Sequence, residues 1–181
     1  MSVDLAALRD SPYDALAELE ARVRDARVDI VAGQSAVWIG LGFRIRDTWC
    51  VVPREDVREV ITPPRLTRVP GSKTWLLGVA NVRGSLLPVT DLGEVLGMPH
   101  GIPIRQSRVL VFNSERVPAG FMVDEVVGYR QFLPSDQRHE FISEAPNLAP
   151  YLLGAFARDG RLWLVVSLHK LAAAPAFISA G

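Results

Sequence analysis

A degenerate internal repeat constrains the fold of this chain more than any other feature of its sequence. Residues 75–92 align without a gap with residues 151–168, and each copy predicts a strand, a tight turn, a second strand and a short helix. The first shared glycine lies within a strand, where a missing side chain allows a bulge or a close approach of backbone. The second lies in the turn, where a positive φ costs glycine little. We therefore expect one β-module built twice, with the identical pairs Leu76/Leu152, Leu77/Leu153, Gly78/Gly154, Gly84/Gly160, Leu86/Leu162, Val89/Val165 and Leu92/Leu168.

The two copies differ at the turn between their strands. The first copy reads Asn81-Val82-Arg83-Gly84, whereas the second reads Arg158-Asp159-Gly160. A plain duplication explains the shared glycines and leucines. It does not explain Asn81 and Arg83, which need a separate reason.

Short strands dominate the rest of the chain after residue 36. Apolar residues at 37, 39, 41 and 43 alternate with the residues between them, which predicts a half-buried strand. Many short strands joined by turns, with only brief helices, indicate an all-β barrel or sandwich. The repeat favours two small barrels, with halves at roughly 37–97 and 108–173. Further strands are predicted at 49–53, 57–61, 108–113, 119–123, 126–129, 152–156 and 161–167, and a long loop is predicted at 134–150.

The N-terminal part has a different periodicity. Ser11 can cap a helix, Pro12 suits its first position, and Asp14 completes a capping-box arrangement. We expect an amphipathic helix and linker at 1–34 and a β domain at 35–175. Two possibilities remain open, because the helix can dock on its own domain or bind a partner. Its apolar residues share one helix face: Leu16, Leu19, Val23, Ala26 and Ile30.

Charge and composition limit the classes of function. The 20 basic residues balance 20 acidic ones, whereas a nucleic-acid binder that relies on electrostatics usually carries a basic excess. The one cysteine, Cys50, can form neither a disulfide framework nor a cysteine metal cluster, and its apolar context predicts a buried thiol. The sequence has no signal-peptide pattern and no apolar run near the roughly 20 residues of a membrane helix. We therefore expect a cytoplasmic protein.

The sequence contains no group of side chains with the spacing of a known catalytic or metal-binding motif. His100, His139 and His169 have no second histidine, cysteine or carboxylate at a metal-ligand spacing, and are expected at the surface or at caps. Asp91 directly precedes a short predicted helix and is expected to cap it. Asp124 ends a strand and is expected in a turn. We therefore predict no enzyme activity, no cofactor and no metal.

Three motifs resemble the CheW family of chemotaxis coupling proteins. The segment 78–92 is similar to the family's G-V-x-N-x-R-G-x-x-x-P-x-x-D-L pattern. Residues 57–61 resemble its V-x-E-I strand, and residues 120–126 resemble its G-x-x-V-D-x-V strand. The motifs occur in the family's order, and the resemblance extends from about residue 37 to residue 171. The N-terminal helix, residues 49–53 and residues 73–84 resemble the PilI branch, which serves type IV pilus twitching systems.

The resemblance implies two SH3-like five-stranded barrels that share a hydrophobic core, and a role that is not enzymatic. Family members bridge the cytoplasmic tip of a methyl-accepting chemoreceptor and the regulatory domain of a CheA-type histidine kinase. By position, Glu59 and Arg83 match the polar residues associated with this coupling, and Asn81 and Gly84 are expected to shape the Arg83 turn. The protein would then join membrane receptor arrays through its partners, without inserting into the membrane.

A nucleic-acid-binding SH3-like or OB-like barrel is the alternative from another class. It predicts a basic, aromatic face, which the neutral composition and the aliphatic strands disfavour. An enzyme comes third, because it would need a pocket with perturbed carboxylates.

Overall fold

The computed structural model describes residues 37–114, 117–138 and 148–174. Most of these residues lie in short β-strands, as the sequence predicts, and the helix and linker predicted at 1–34 lie outside the described residues. Two short helices, α1 (Leu92–Val95) and α2 (Leu168–Ala172), follow the two repeated hairpins. The strands are β1 (Trp38–Ile45), β2 (Thr48–Pro53), β3 (Val57–Ile61), β4 (Leu76–Val82), β5 (Ser85–Asp91), β6 (Arg108–Phe112), β7 (Gly120–Val123), β8 (Glu125–Phe132), β9 (Gln137–Arg138), β10 (Leu152–Arg158) and β11 (Arg161–Val166).

The strands form two sheets that exchange strands between the halves of the chain. Sheet A has the order β8-β1-β2-β11-β10-β9, and sheet B has the order β3-β6-β7-β5-β4. Each sheet therefore takes two adjacent strands, β1–β2 or β6–β7, from one half and its other main strands from the opposite half. The parallel pairs β2 with β11 and β5 with β7 join the exchanged strands to their hosts. Because of this exchange, the segments 37–97 and 108–173 contribute to both sheets.

The repeat is present in the fold as a hairpin followed by a helix. In both hairpins the pairing register shifts by one residue, between Leu76 and Gly78 and between Leu152 and Gly154. Gly78 has a φ of 147°, and a Cβ on it would lie 2.6 Å from the carbonyl oxygen of Thr67. The shared strand glycines thus mark β-bulges, and Gly78 also allows the connection before β4 to approach closely.

Apolar side chains form one cluster between the sheets and a further cluster on the opposite face of each sheet. Ile61 of β3 and Val82 of β4, from the two edges of sheet B, both pack on the cluster of that sheet, so the sheet curls around it. The shared cluster includes Phe43, Ile45, Phe112, Phe121, Leu92 and Leu168. The cluster of sheet A contains Val51, Phe132, Phe156, Trp163 and Val165, and that of sheet B contains Leu87, Val89, Val109, Val111 and Met122.

The burial of β1 differs from the half-buried pattern that its alternation predicts. Leu41 and Phe43 are buried, but Ile39, on the same face, is 40% exposed. The opposite face is packed as well, because a Cβ on Gly40 would lie 2.6 Å from a methyl carbon of Val51. The later part of β1 is therefore buried on both faces, and its first residues extend beyond the shared cluster.

The segment 134–150, predicted as a loop, contains regular structure in its described part. A 3₁₀ turn at Pro134–Asp136 leads into β9, which pairs with β10 and gives sheet A a sixth strand. A second 3₁₀ turn at Ala149–Tyr151 leads into β10. β9 consists of two polar residues and has no hydrophobic periodicity, so the sequence pattern could not predict it. It is recognised as a strand only by its pairing with β10.

A polar junction centred on Arg46 joins the two sheets. Arg46 lies in the turn between β1 and β2, and its Nη2 is 2.9 Å from Asp91 Oδ2 while its Nη1 is 2.9 Å from Asp124 Oδ1. The guanidinium also donates to the carbonyl oxygen of Pro99. Asp91 caps α1 by accepting the N–H of Glu94, and Asp124 lies at the bend between β7 and β8. Both carboxylates therefore have the structural roles expected of them.

Candidate partner-binding site

The residues Asn81, Arg83 and Gly84 form the tip of the hairpin between β4 and β5. Val82 pairs with Ser85, so Arg83 and Gly84 are a two-residue turn, with φ values of 52° and 85°. Positive φ at both positions is the type I′ geometry that suits a right-twisted hairpin. Asn81 Oδ1 accepts the Gly84 N–H at 2.9 Å. Asn81 and Gly84 therefore shape the Arg83 turn.

Glu59 and Arg83, which are distant in sequence, meet as an ion pair. Arg83 Nη2 lies 2.7 Å from Glu59 Oε2, and the Arg83 side chain is 79% exposed whereas that of Glu59 is 18% exposed. Glu59 belongs to β3 and the Arg83 turn follows β4, and these strands are the two edges of sheet B. The pair therefore bridges the edges of the curled sheet and holds the exposed guanidinium in place.

An exposed leucine lies in the same hairpin as Arg83. Leu86 opposes Asn81 in the hairpin and is 69% exposed, and Val60, next to Glu59, is also exposed. Leu162, the counterpart of Leu86 in the repeat, is half-buried and packs on the shared cluster. The identity of the two leucines conceals this difference in the sequence. The burial of Leu87 is consistent with strand alternation turning Leu86 outward.

The equivalent place in sheet A carries different side chains. β8 pairs with β1 through the same one-residue bulge that joins β3 to β6, and Gly128 takes the position that Glu59 has on β3. Asp159 takes the position of Arg83, in a turn with φ values of 54° for Asp159 and 70° for Gly160. The turn geometry is repeated but the ion pair is not, and Gly128 has a φ of 83° whereas Glu59 has no positive φ. The chemistry of this site is specific to sheet B.

His100 belongs to a small polar group that its spacing in the sequence does not reveal. Its Nδ1 lies 2.9 Å from Glu94 Oε2, and ligand atoms of Asp91, Glu94 and His100 lie within 4.8 Å of one another. The spacing of these residues along the sequence therefore did not predict that a histidine and two carboxylates lie together. However, Asp91 already accepts hydrogen bonds from Arg46, from the Glu94 N–H and from the Gly101 N–H. These bonds give the group a structural role.

His169 also has a structural partner. It lies in α2, and its Nε2 is 3.2 Å from Oδ1 of Asp56, a buried carboxylate in the 3₁₀ turn before β3. The imidazole packs edge-on against Phe112, with 4.7 Å between ring centroids. His169 thus links α2 to the connection between the sheets. His139 lies outside the described residues.

Comparison with known proteins identifies the family. A family model described as a CheW-like domain matches residues 40–176. The chain belongs to the CheW family. Protein PilI of Pseudomonas aeruginosa is 39% identical over 170 residues, which are 93% of this chain and 95% of that protein. The chemotaxis protein CheW of Thermotoga maritima is 26% identical over 131 residues, which are 72% of this chain and 85% of that protein.

A solved structure supports the fold of this CheW-like chain. The crystal structure of the scaffolding protein TtCheW from Thermoanaerobacter tengcongensis matches with a TM-score of 0.66 at 20% identity, covering 77% of this chain and 94% of that chain. The predicted resemblance and the predicted all-β, SH3-like fold are therefore confirmed. The CheW family comprises scaffold and adaptor proteins. Among the described residues, no helix is long and apolar enough to cross a membrane.

Proposed function

We propose that this protein is a non-enzymatic adaptor that couples methyl-accepting chemoreceptors to a CheA-type histidine kinase in a system that controls type IV pilus twitching. The similarity to PilI over almost the whole of both chains supports the assignment to a pilus system. The protein acts in the cytoplasm and joins receptor arrays through its partners. Its partners are the receptor's cytoplasmic tip and the regulatory domain of the kinase.

The observation that carries this proposal is the ion pair between Glu59 and the exposed Arg83. Exposed ion pairs contribute at most about 1 kcal/mol to stability, so folding explains the left-handed turn but gives little reason to place an arginine in it. A partner interface does give such a reason. The planar guanidinium offers several donors to carboxylate or carbonyl oxygens, and Glu59 limits the orientations that it can adopt.

The surroundings of Arg83 have the composition of a protein-binding surface. Leu86 supplies an exposed apolar side chain in the same hairpin, opposite Asn81. Interfaces commonly combine a few apolar and arginine anchors with a polar rim. We therefore assign Leu86, together with Glu59, Asn81, Arg83 and Gly84, to the partner-binding surface.

Arg83→Ala tests the proposal, and Asp159→Ala is its matched control. Both substitutions remove a side chain at the first position of the same turn type, where φ is 52° and 54°. Arg83→Ala should weaken binding to the kinase regulatory domain or to a receptor tip by at least about fivefold, or roughly 1 kcal/mol. Asp159→Ala should not. Isothermal titration calorimetry gives the Kd values, and thermal unfolding should show similar Tm values for both variants.

The outcomes separate the possible roles of Arg83. A large loss of Tm with unchanged Kd for Arg83→Ala would make Arg83 a structural residue and reject this surface. Glu59→Gln, which keeps the shape but removes the charge, should weaken binding less than Arg83→Ala if Glu59 only orients the guanidinium. The nucleic-acid alternative predicts instead a salt-dependent affinity for mixed RNA or DNA, and the comparisons favour the adaptor.

A further inference from the structure

Sheet A has a basic slot near the position that is equivalent, in the repeat, to the ion pair of sheet B. Arg130 of β8 and Arg158 and Arg161 of the β10–β11 hairpin line a cavity of about 290 Å³, together with Tyr129 and Trp163. We call this cavity the arginine slot. Among the described residues that line it, Asp159 is the one acid, so these residues carry an excess of positive charge.

The described residues neutralise only part of this charge. Arg158 donates to the carbonyl oxygen of Gln131, and its Nη1 lies 3.5 Å from a carboxylate oxygen of Asp136. Arg161 stacks over the ring of Trp49, with 4.5 Å between its Cζ and the ring centroid. Arg130 is exposed and makes no ion pair with any described residue. The slot can therefore accept an acidic group.

An exposed apolar patch meets the slot at the edge strand β8. It comprises Val37, Ile39, Tyr129 and Leu133, each at least 40% exposed. Leu41 opposes Tyr129 and Ile39 opposes Gln131, so alternation along β1 and β8 places Ile39 and Tyr129 on one face. Tyr129 belongs to both the patch and the slot. Arg130, the next residue, is directed to the other face of β8, and β8 is an edge strand of sheet A. A segment that is both acidic and apolar would therefore match this surface by binding around the β8 edge.

We propose that the N-terminal segment 1–36 of the same chain binds across the arginine slot and its apolar patch. Its sequence has seven acidic residues and four arginines, whereas residues 37–181 have 13 acidic and 16 basic residues. The net charge of zero is therefore the sum of an acidic N-terminal segment and a basic remainder of the chain. The apolar helix face predicted within residues 1–34 supplies the side chains that the patch would cover.

The position of the slot relative to the start of β1 favours this occupant over a separate protein. The segment joins the described chain at Val37, and the next residue, Trp38, pairs with Phe132, close to Tyr129 and Arg130 on β8. A tethered segment has a high effective concentration at a neighbouring surface, of order millimolar for a short flexible link. Weak charge and apolar contacts then suffice to hold it. This inference does not depend on the proposed kinase coupling.

Distance measurements between spin labels in the full-length protein test the proposal. Labels on introduced cysteines at Ala17→Cys and Ser135→Cys report the approach of the segment to the slot, and Ala17→Cys with Ser85→Cys reports its approach to sheet B. Cys50 is buried and stays unlabelled. The first pair should give a short, narrow distance distribution, and the second should not. Arg130→Glu, or about 1 M salt, where the Debye length is about 3 Å, should reduce the short-distance fraction roughly threefold or more.

Arg65→Glu is the matched charge control, because Arg65 is an exposed arginine in the connection between β3 and β4. It should leave the short-distance fraction unchanged. Equally broad distributions for both label pairs, or an equal effect of Arg65→Glu and Arg130→Glu, would overturn the proposal. Loss of the short distance after dilution with excess unlabelled protein would show that the segment binds a second copy, and would also overturn it.

Discussion

Arg83 and Asp159 occupy the same position in two hairpins with the same turn geometry. Arg83 and Asp159 therefore differ in their side chains and not in their backbone conformation. This difference makes Arg83 a candidate for partner binding and leaves Asp159 as a turn residue. Arg83 has Glu59 beside it on the neighbouring sheet edge, whereas the residue equivalent to Glu59 near Asp159 is Gly128. The turn holds both Arg83 and Asp159 in the same conformation, but Gly128 has a φ of 83° whereas Glu59 has no positive φ. A glutamate at position 128 would therefore be strained, so this place in sheet A is not built for the same ion pair.

The thiol of Cys50 provides a test of burial at the level of one residue. Burial raises the pKa of Cys50 from 9.0 to about 12, since the thiolate would lose its hydration. We expect the native protein to resist iodoacetamide at about pH 9, whereas the urea-unfolded protein reacts quickly. Stoichiometric alkylation of the native protein on the same timescale would contradict the burial of this thiol.

The same pKa makes stability depend on pH. Between about pH 9 and pH 12 the unfolded thiol is ionised while the native thiol keeps its proton, so the unfolded state binds fewer protons. The free energy of unfolding should therefore fall as pH rises through this window. Urea titrations at several pH values should show a smaller fall for Cys50→Ala than for the wild type. Identical slopes would show that the thiol contributes nothing to this dependence.

At the level of elements, the repeated hairpins depend on left-handed backbone at their turns. Gly160 has a φ of 70°, and a Cβ there would have no atom within 4 Å, so backbone conformation rather than space sets the cost of a side chain. Gly160→Val should lower the free energy of unfolding by at least about 1 kcal/mol, whereas Gly160→Asn should cost less because asparagine tolerates this region. Urea denaturation measures both. Equal stabilities of the two variants would show that the turn accepts ordinary dihedral angles.

The elements themselves were largely predictable. The alternation and the turn residues placed β3 at its observed bounds and located both hairpins of the repeat with their helices. β8 extends to Phe132, beyond its predicted end, because pairing with β1 continues through polar residues that carry no strand signal. β9 was missed for the same reason. Periodicity reports burial of one face, and it does not report pairing of edge residues.

At the level of the whole molecule, Arg46 ties sheet A to the end of sheet B. Its side chain is 22% exposed and faces two carboxylates, Asp91 and Asp124. Arg46→Met should lower the free energy of unfolding by about 2–4 kcal/mol, because two partly buried carboxylates lose their cation. Arg46→Lys should restore little, since one ammonium cannot match a fork shared between two carboxylates. An unchanged Tm for Arg46→Met would show that solvent or another group replaces the guanidinium.

The hydrophobic clusters predict the behaviour of a truncated protein. Among the residues that the structure describes, the cluster members lie between Trp38 and Ala172 and already form a connected core, so we expect the chain without residues 1–34 to unfold in one cooperative transition. If the N-terminal segment covers the patch of Ile39 and Tyr129, the truncated protein should also bind more of a hydrophobic dye and aggregate sooner. Chemical denaturation and light scattering measure these properties. Failure of the truncated protein to fold would make the N-terminal segment part of the core.

The sequence by itself determined the repeat, the all-β class, the positions of the turns and the residues of the candidate site, because these depend on local periodicity, on glycine at positive φ and on short motifs. The tertiary structure decided which residues meet. It brought Glu59 to Arg83 across two sheet edges, exposed Leu86 while half-burying its repeat partner Leu162, and placed Arg46 between two carboxylates. Each of these contacts depends on the exchange of β1–β2 and β6–β7 between the sheets or on the curling of a sheet. Such long-range geometry is set by packing of the shared core, which no local pattern in the sequence encodes.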